Sequence, residues 1–326
     1  MQVSGRVSTL TEEYRHTPVM LKQCREHLAL QSGEVYCDCT LGGAGHALIM
    51  AQGISPNGLL IGIDQDDQAL EAATPRINKA FPKLAVKLFK GNFGELDSIL
   101  LNAAIPGIDG ILFDLGVSSK QIDDPQRGFS YATNAPLDFR MDPSTQTLTA
   151  AEVINTFTEA DLTWIFRTFG EERWASRIAR FVVQTREKTP IATTSEFVEI
   201  IRAAIPAQAR LEGGHPAKRA FQGLRIYVNR ELEMLEAGLE AAIRWLNPGG
   251  RIVVISYHSL EDTIVKRLFT KMALTCVCPP EAPVCVCGHE PVLRSISKRP
   301  LVSSDAEKTA NPRSKSARLR WGIKKE

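Results

Sequence analysis

Val35-Tyr36-Cys37-Asp38-Cys39-Thr40-Leu41-Gly42-Gly43-Ala44-Gly45-His46, followed by Leu59-Leu60-Ile61-Gly62-Ile63-Asp64, decides the fold. The stretch reads as strand, glycine turn, helix, strand and acid. Small residues at Gly42, Gly43, Ala44 and Gly45 let the backbone leave the first strand sharply and approach a ligand, and the helix that opens there aims its free N–H groups at the same place. Asp64, closing the second strand, stands where ribose hydroxyls are held in doubly wound sheets. The dinucleotide fingerprint G-x-G-x-x-G is absent. The first strand instead ends in Asp38, which repels a pyrophosphate and attracts an amino-acid ammonium through a charge-assisted hydrogen bond. Together these features point to S-adenosylmethionine as cofactor and to a methyltransferase. A turn that serves only tight packing is the plainer reading, and a nicotinamide oxidoreductase the other enzymatic one; the pair Asp38 and Asp64 argues against both.

The chain has 326 residues, a 44% hydrophobic share and a formal charge of +2. That is enough apolar material for one large or two modest domains. No run of about 18 apolar residues suggests a membrane span, and the stretch from Met1 to Thr17, with Glu12, Glu13, Arg15 and His16, lacks the layout of a secretory signal. A cytoplasmic protein without membrane contact is expected, and seven cysteines then do not form a disulfide framework. Charge is uneven: from Pro291 to Glu326 ten Lys or Arg face three Asp or Glu, so this tail carries +7 and the remainder −5. Such a tail is either a solvated segment or an attractor for a polyanion such as RNA.

Leu84 to Lys90, Gly110 to Leu115 and Arg251 to Ser256 read as further strands. Strands alternating with helices predict an α/β fold, a Rossmann-like doubly wound, mostly parallel sheet. Between Asp114 and Arg251 lie far more residues than one crossover needs, and the surplus reads as helix. Thr149-x-x-Glu152, Thr158-x-x-Asp161 and Thr193-x-x-Glu196 resemble capping boxes. Trp174, Ile178, Phe181 and Val182 share a helix face. From Pro216 onward Phe221, Leu224, Val228, Leu232, Leu235, Leu239, Ile243 and Leu246 recur at helical spacing, predicting one long helix that packs back on the sheet. The predicted organisation is a first methyltransferase part at 1–122, an inserted all-helical substrate-recognition domain at 123–214, and a second methyltransferase part at 215–326 with the basic C-terminal segment. The insertion is expected above the carboxyl ends of the strands, as a recognition module, a lid or a homodimer surface.

Two loops on that rim carry candidate chemistry. Asp114-Leu115-Gly116-Val117-Ser118-Ser119 leaves the fourth strand where a methyl acceptor must lie, and Asp114 either holds an amino group near the methyl or caps a turn. An amino group conjugated to a ring is a weak nucleophile, so catalysis there rests on orienting the nitrogen and removing its proton late. Ser256-Tyr257-His258-Ser259-Leu260-Glu261-Asp262 leaves the fifth strand. There Tyr257 offers a ring for stacking on a base, and His258 is a proton relay or a structural histidine. Neither loop holds the cysteine nucleophile that methylation of a pyrimidine at carbon five requires. Cys276-x-Cys278 and Cys285-x-Cys287 form a paired C-x-C cluster, whereas the usual zinc knuckle is C-x-x-C; no metal is assigned to it. Lys218, Arg219 and Arg225 are the candidate RNA contacts.

The chain resembles the bacterial small-subunit (16S) ribosomal RNA cytosine-N4 methyltransferases. The resemblance rests on His16-Thr-Pro-Val19, Asp38 to His46, Asp114-Leu-Gly-Val-Ser-Ser with Gln121, Arg127-Gly-Phe-Ser-Tyr, Pro136-Leu-Asp-Phe-Arg-Met-Asp142, Gly170-Glu-Glu-Arg173, His215 to Gln222, Arg225 to Asn229, Tyr257 to Asp262 and Asn311-Pro-Arg313, and so runs through most of the chain. It implies a class I S-adenosylmethionine-dependent fold, the small ribosomal subunit as partner, and methylation of a decoding-region cytidine on its exocyclic nitrogen. It also implies cofactor contacts at Ala44, Gly45, His46, Asp64, Phe93, Asp114 and Gln121. Ala44 stands where the family's turn has glycine. The alternatives are a methyltransferase acting elsewhere on RNA and a non-catalytic RNA-binding protein that kept the fold.

Overall fold

The computed structural model describes residues 18–211, 214–279, 282 and 284–326; His16 and Thr17 of the motif blocks lie outside them. The chain forms two compact units, one built from residues up to Gly116 and from Glu233 to Glu326, the other from Val117 to Leu232. The helical insertion expected at 123–214 lies within the second.

The first unit opens with α1 (Leu21–Leu28), then β1 (Val35–Asp38), α2 (Gly45–Ile54), β2 (Leu59–Asp64), α3 (Asp67–Ala80), β3 (Ala85–Lys90), α4 (Leu96–Asn102) and β4 (Ile108–Asp114). Strand side chains alternate between two cores: Ile61, Ile63, Ile111 and Phe113 face one, while Tyr36, Leu60 and Leu112 face the other. Both faces of the sheet are therefore covered, which is why these strands read as continuous apolar runs. Cys37 and Cys39 are buried fillers of the first core.

The second unit contains α5 (Ser119–Asp123), α6 (Ala150–Thr156), α7 (Glu159–Thr168), α8 (Ala175–Arg186), α9 (Thr194–Ala204) and α10 (Lys218–Asn229), and no strand among the described residues. Thr158 and Thr193 close reciprocal capping boxes with Asp161 and Glu196, and Thr149 accepts the Glu152 N–H. Gly170 permits a close crossing with α10, since a Cβ there would meet the Arg219 carbonyl at 2.5 Å. Asn229 is a buried clamp: its Oδ1 accepts the Met141 N–H at 2.8 Å, and its Nδ2 donates to the carbonyls of Phe139 and Arg225.

The chain then runs through α11 (Glu231–Trp245), β5 (Leu246–Ser256), α12 (Ser259–Met272), β6 (Leu293–Ile296), β7 (Leu301–Val302), α13 (Asp305–Ala310) and β8 (Arg318–Lys324). The long helix expected from Pro216 is two helices, parted at Arg230, whose backbone is left-handed at φ 51°. The apolar stripe changes partner at this break. Phe221, Leu224 and Val228 join the core of the second unit, whereas Leu235, Leu239 and Ile243 join the sheet core.

The basic tail is likewise not a solvated segment. Strand order is β3-β2-β1-β4-β5-β8-β6, with β7 also on β8; β1 to β5 are parallel, and β8 lies antiparallel to β5. Its cations are largely engaged. Arg320, 5% exposed, forks onto Asp262 at 2.6 and 3.1 Å, and Arg294, Lys308 and Lys325 pair with Glu326, Asp305 and Glu290. The sheet order reverses between β1 and β4, the switch point at which open α/β sheets bind ligands beyond their carboxyl ends.

Candidate active site

Asp38, Asp64 and Asp114 close the neighbouring strands β1, β2 and β4. Asp38 is 1% exposed; its Oδ1 accepts the Thr40 N–H at 3.1 Å and its Oδ2 the Tyr36 hydroxyl at 3.4 Å. Burial pushes its pKa up to about 6, against the opposing pull of His46 and the Thr40 N–H. Asp64 accepts the Gly42 N–H on Oδ2 at 2.8 Å and the Asp66 N–H on Oδ1 at 2.9 Å. Burial likewise brings it to about 6, against those two N–H groups. Asp64 thus clamps the glycine turn to β2, a duty its position in the sequence does not announce.

The turn itself is left-handed at Gly42 (φ 48°) and at Ala44 (φ 62°), the N-cap of α2. An L-residue in that conformation costs about 1 kcal/mol, offset here by complete burial of the Ala44 methyl. At Gly45 a Cβ would sit 2.9 Å from Pro18 Cγ, so the turn and the preceding segment touch only because this side chain is absent.

Asp114 is held from three directions. Its N–H donates to Thr40 Oγ1 at 2.7 Å, which ties the exits of β1 and β4 together. Its Oδ1 accepts the Tyr257 hydroxyl at 2.7 Å. Its Oδ2 lies 3.5 Å from His46 Nδ1, and the carboxyl is one-quarter exposed. His46 Nε2 stands 2.9 Å from the Val19 carbonyl, so this nitrogen carries a hydrogen. The other ring nitrogen, Nδ1, is thereby turned toward the Asp114 carboxyl. Burial raises the Asp114 pKa, with His46 and Tyr257 opposing.

The other predicted residues divide. Phe93 opens a short 3₁₀ turn after β3 and packs edge-on against Phe113, ring centroids 5.6 Å apart. His258 caps α12: Nδ1 accepts the Glu261 N–H at 3.4 Å, Nε2 stands 3.2 Å from Glu261 Oε1, and Glu261 Oε2 returns to the Tyr257 N–H at 2.7 Å. The imidazole is thus the helix cap. Gln121, Lys218, Arg219 and Arg225 belong to the second unit. Gln121 Oε1 accepts the Ser118 N–H in a capping box. Lys218 and Arg219 are exposed in the first turn of α10, and Arg225 is held in a two-pronged pair with Glu231 at 2.8 and 2.9 Å.

The three acids meet the needs of S-adenosylmethionine. Each keeps lone pairs beyond those its present donors use, which suits an ammonium at Asp38 and hydroxyls at Asp64. A doubly wound sheet with acids closing its first, second and fourth strands around a glycine turn defines a Rossmann-like, class I methyltransferase. Residues 13–325 match the MraW methylase family, and the chain belongs to that family. It is 50% identical over 311 residues, 95% of this chain and 97% of the relative, to "Ribosomal RNA small subunit methyltransferase H" of Symbiobacterium thermophilum. Proteins of the same name from Heliobacterium modesticaldum and Geotalea daltonii are each 50% identical over 94% of this chain, covering 97% and 98% of their own lengths. The family resemblance carried by the motif blocks is thereby shown. No helix among the described residues is long and apolar enough to cross a membrane.

Proposed function

We propose that this chain methylates the exocyclic N4 amino group of a decoding-region cytidine in 16S ribosomal RNA of the small subunit. S-adenosylmethionine, when bound, supplies an electrophilic sulfonium methyl. Asp38 holds the ammonium end, Asp64 the ribose, and the backbone from Gly42 to His46 lies against the cofactor, with Phe93 and Gln121 as the further contacts the family implies. The observation that carries the catalytic reading is the triple hold on Asp114 by Thr40, Tyr257 and His46. An arylamine lone pair is delocalised into its ring, so the nitrogen reacts only when its orientation is fixed. Asp114, partly open and locked from both oxygens, accepts an amino N–H and sets that orientation. Burial, by raising its pKa, makes it a better acceptor for the proton shed as the nitrogen–methyl bond forms.

Tyr257 and His46 act on this carboxyl as positioning residues, and His258 steadies the loop by capping α12. In the second unit Lys218 and Arg219 contact phosphates, and Arg225 braces the junction of α10 with α11 through Glu231. The target base must be met unpaired or flipped out, since a stacked pair hides its amino group. The test is incubation with small subunits from an undermethylated strain and methyl-labelled S-adenosylmethionine, followed by digestion to nucleosides and mass spectrometry. Label on the cytosine exocyclic nitrogen is expected. Label on ribose, on carbon five, or nowhere in the RNA overturns the reading.

A further inference from the structure

We propose that Cys276, Cys278, Cys285 and Cys287 form a structural zinc site that folds the segment between α12 and β6. This segment, residues 273–292, is 20 residues long and contains neither helix nor strand among its described residues, an unusual length for a structureless connection in a compact domain. Its described residues build no core of their own: Val277, Val284 and Val286 are 56%, 69% and 85% exposed. Something other than apolar burial must therefore define its path. Its base is pinned by the Val292 N–H on the Met272 carbonyl at 2.8 Å, and the two C-x-C pairs converge further out.

The four sulfurs lie within 4.8 Å of one another. Adjacent ones are 3.5 Å (Cys285 to Cys287), 3.8 Å (Cys287 to Cys276) and 4.0 Å (Cys278 to Cys285) apart. Zinc–thiolate bonds of about 2.3 Å in a tetrahedron place their sulfurs about 3.8 Å apart, so the cluster already has the size of a mononuclear tetrathiolate shell. Disulfides would need S–S separations of about 2.0 Å, and all four cysteines are free.

Backbone hydrogen bonds point the same way. The Val277 N–H approaches Cys287 Sγ at 3.5 Å, and the Cys278 N–H approaches Cys276 Sγ at 3.4 Å. N–H groups aimed at sulfur favour the thiolate, the form that binds metal. Each C-x-C pair thus offers two sulfurs to one side, and the two pairs together close the shell without an open position for water. That is the arrangement of a structural rather than a catalytic zinc.

The test uses the full chain, expressed with zinc supplied and purified without chelator. Elemental analysis is expected to find one zinc per chain, with the four thiols of this segment unreactive toward a thiol reagent until the metal is removed. Replacement by Co²⁺ is expected to give the visible absorption of a tetrahedral tetrathiolate. Cys285→Ser with Cys287→Ser is expected to abolish both signals while far-ultraviolet circular dichroism keeps the helix and sheet content. Wild-type protein that is metal-free with four reactive thiols, that carries disulfides in this segment, or that holds iron instead of zinc overturns the proposal. Should the double variant fail to fold, the wild-type zinc content and thiol reactivity decide the matter alone.

Discussion

Asp38→Asn should make the ligand-free protein more stable and its cofactor binding weaker. The carboxyl is buried, and its pKa in the folded protein stands at about 6 against an ordinary value of 3.8. That gap corresponds to about 3 kcal/mol. Well below its ordinary value of 3.8 the group is protonated folded and unfolded alike. As pH rises toward 6 the unfolded chain releases its proton while the folded one retains it, so stability is lost through this window, and above it the full cost of a buried charge is present. Asparagine has the same shape, keeps an oxygen for the Thr40 N–H, and can donate to the Tyr36 hydroxyl, without the charge. The variant should therefore exceed wild type by up to about 3 kcal/mol at pH 8, and the difference should shrink as pH is lowered to 5. Urea unfolding at both pH values measures it. The same change removes the ammonium's partner, which should weaken S-adenosylmethionine by about 1.5–3 kcal/mol, roughly ten- to a hundredfold, in calorimetry. A variant less stable than wild type at pH 8, or one with unaltered cofactor affinity, refutes the reasoning.

Tyr257→Phe removes the hydroxyl that holds the Asp114 pKa down, so the acidic limb of kcat/KM should move to higher pH and kcat should fall about tenfold; a superimposable pH profile would count against Asp114. Gly45→Ala drives a methyl into Pro18 and should destabilise by about 1–3 kcal/mol in denaturant unfolding. Arg320→Ala leaves the buried Asp262 only its 3.4 Å contact with Arg318 and should cost up to about 3 kcal/mol, whereas Arg294→Ala at the surface should change stability by less than about 0.5 kcal/mol. Lys218→Glu with Arg219→Glu should weaken RNA binding and make its salt dependence shallower by about two phosphate contacts, with cofactor affinity held, as filter binding across a salt series and calorimetry will show.

The acids at the strand ends were legible because a parallel strand buried on both faces is a short apolar run, and a carboxylate closing such a run has nowhere to sit but the rim. The break at Arg230 was not. Helices on either side of it keep apolar residues three and four apart, so periodicity runs straight through, and a left-handed arginine carries no mark in the sequence. The strand within the tail was hidden for a different reason. Leu319, Trp321 and Ile323 alternate with Arg318, Arg320 and Lys324, a strand pattern that the count of positive charges concealed. What neutralises Arg320 lies 58 residues earlier, at Asp262, and only the fold brings the two together. His258 was ambiguous because histidine is an uncommon helix cap, and the Glu261 that completes the box sits beside a second acid in the same motif.

The placement of β8 between β5 and β6 has a consequence for biosynthesis. Residues 117–232 form one uninterrupted stretch and can complete their core as soon as they leave the ribosome. The sheet cannot, because the edge of β5 stays open until Arg318–Lys324 has been made. At roughly 5–20 residues per second, the synthesis that separates the two events takes roughly 5–20 s. From the completion of β5 at Ser256 until β8 follows, the parallel core presents unpaired backbone groups along one side, the condition under which nascent chains associate with one another. The unit in the middle of the chain is ready first, and the unit that begins the chain is ready last.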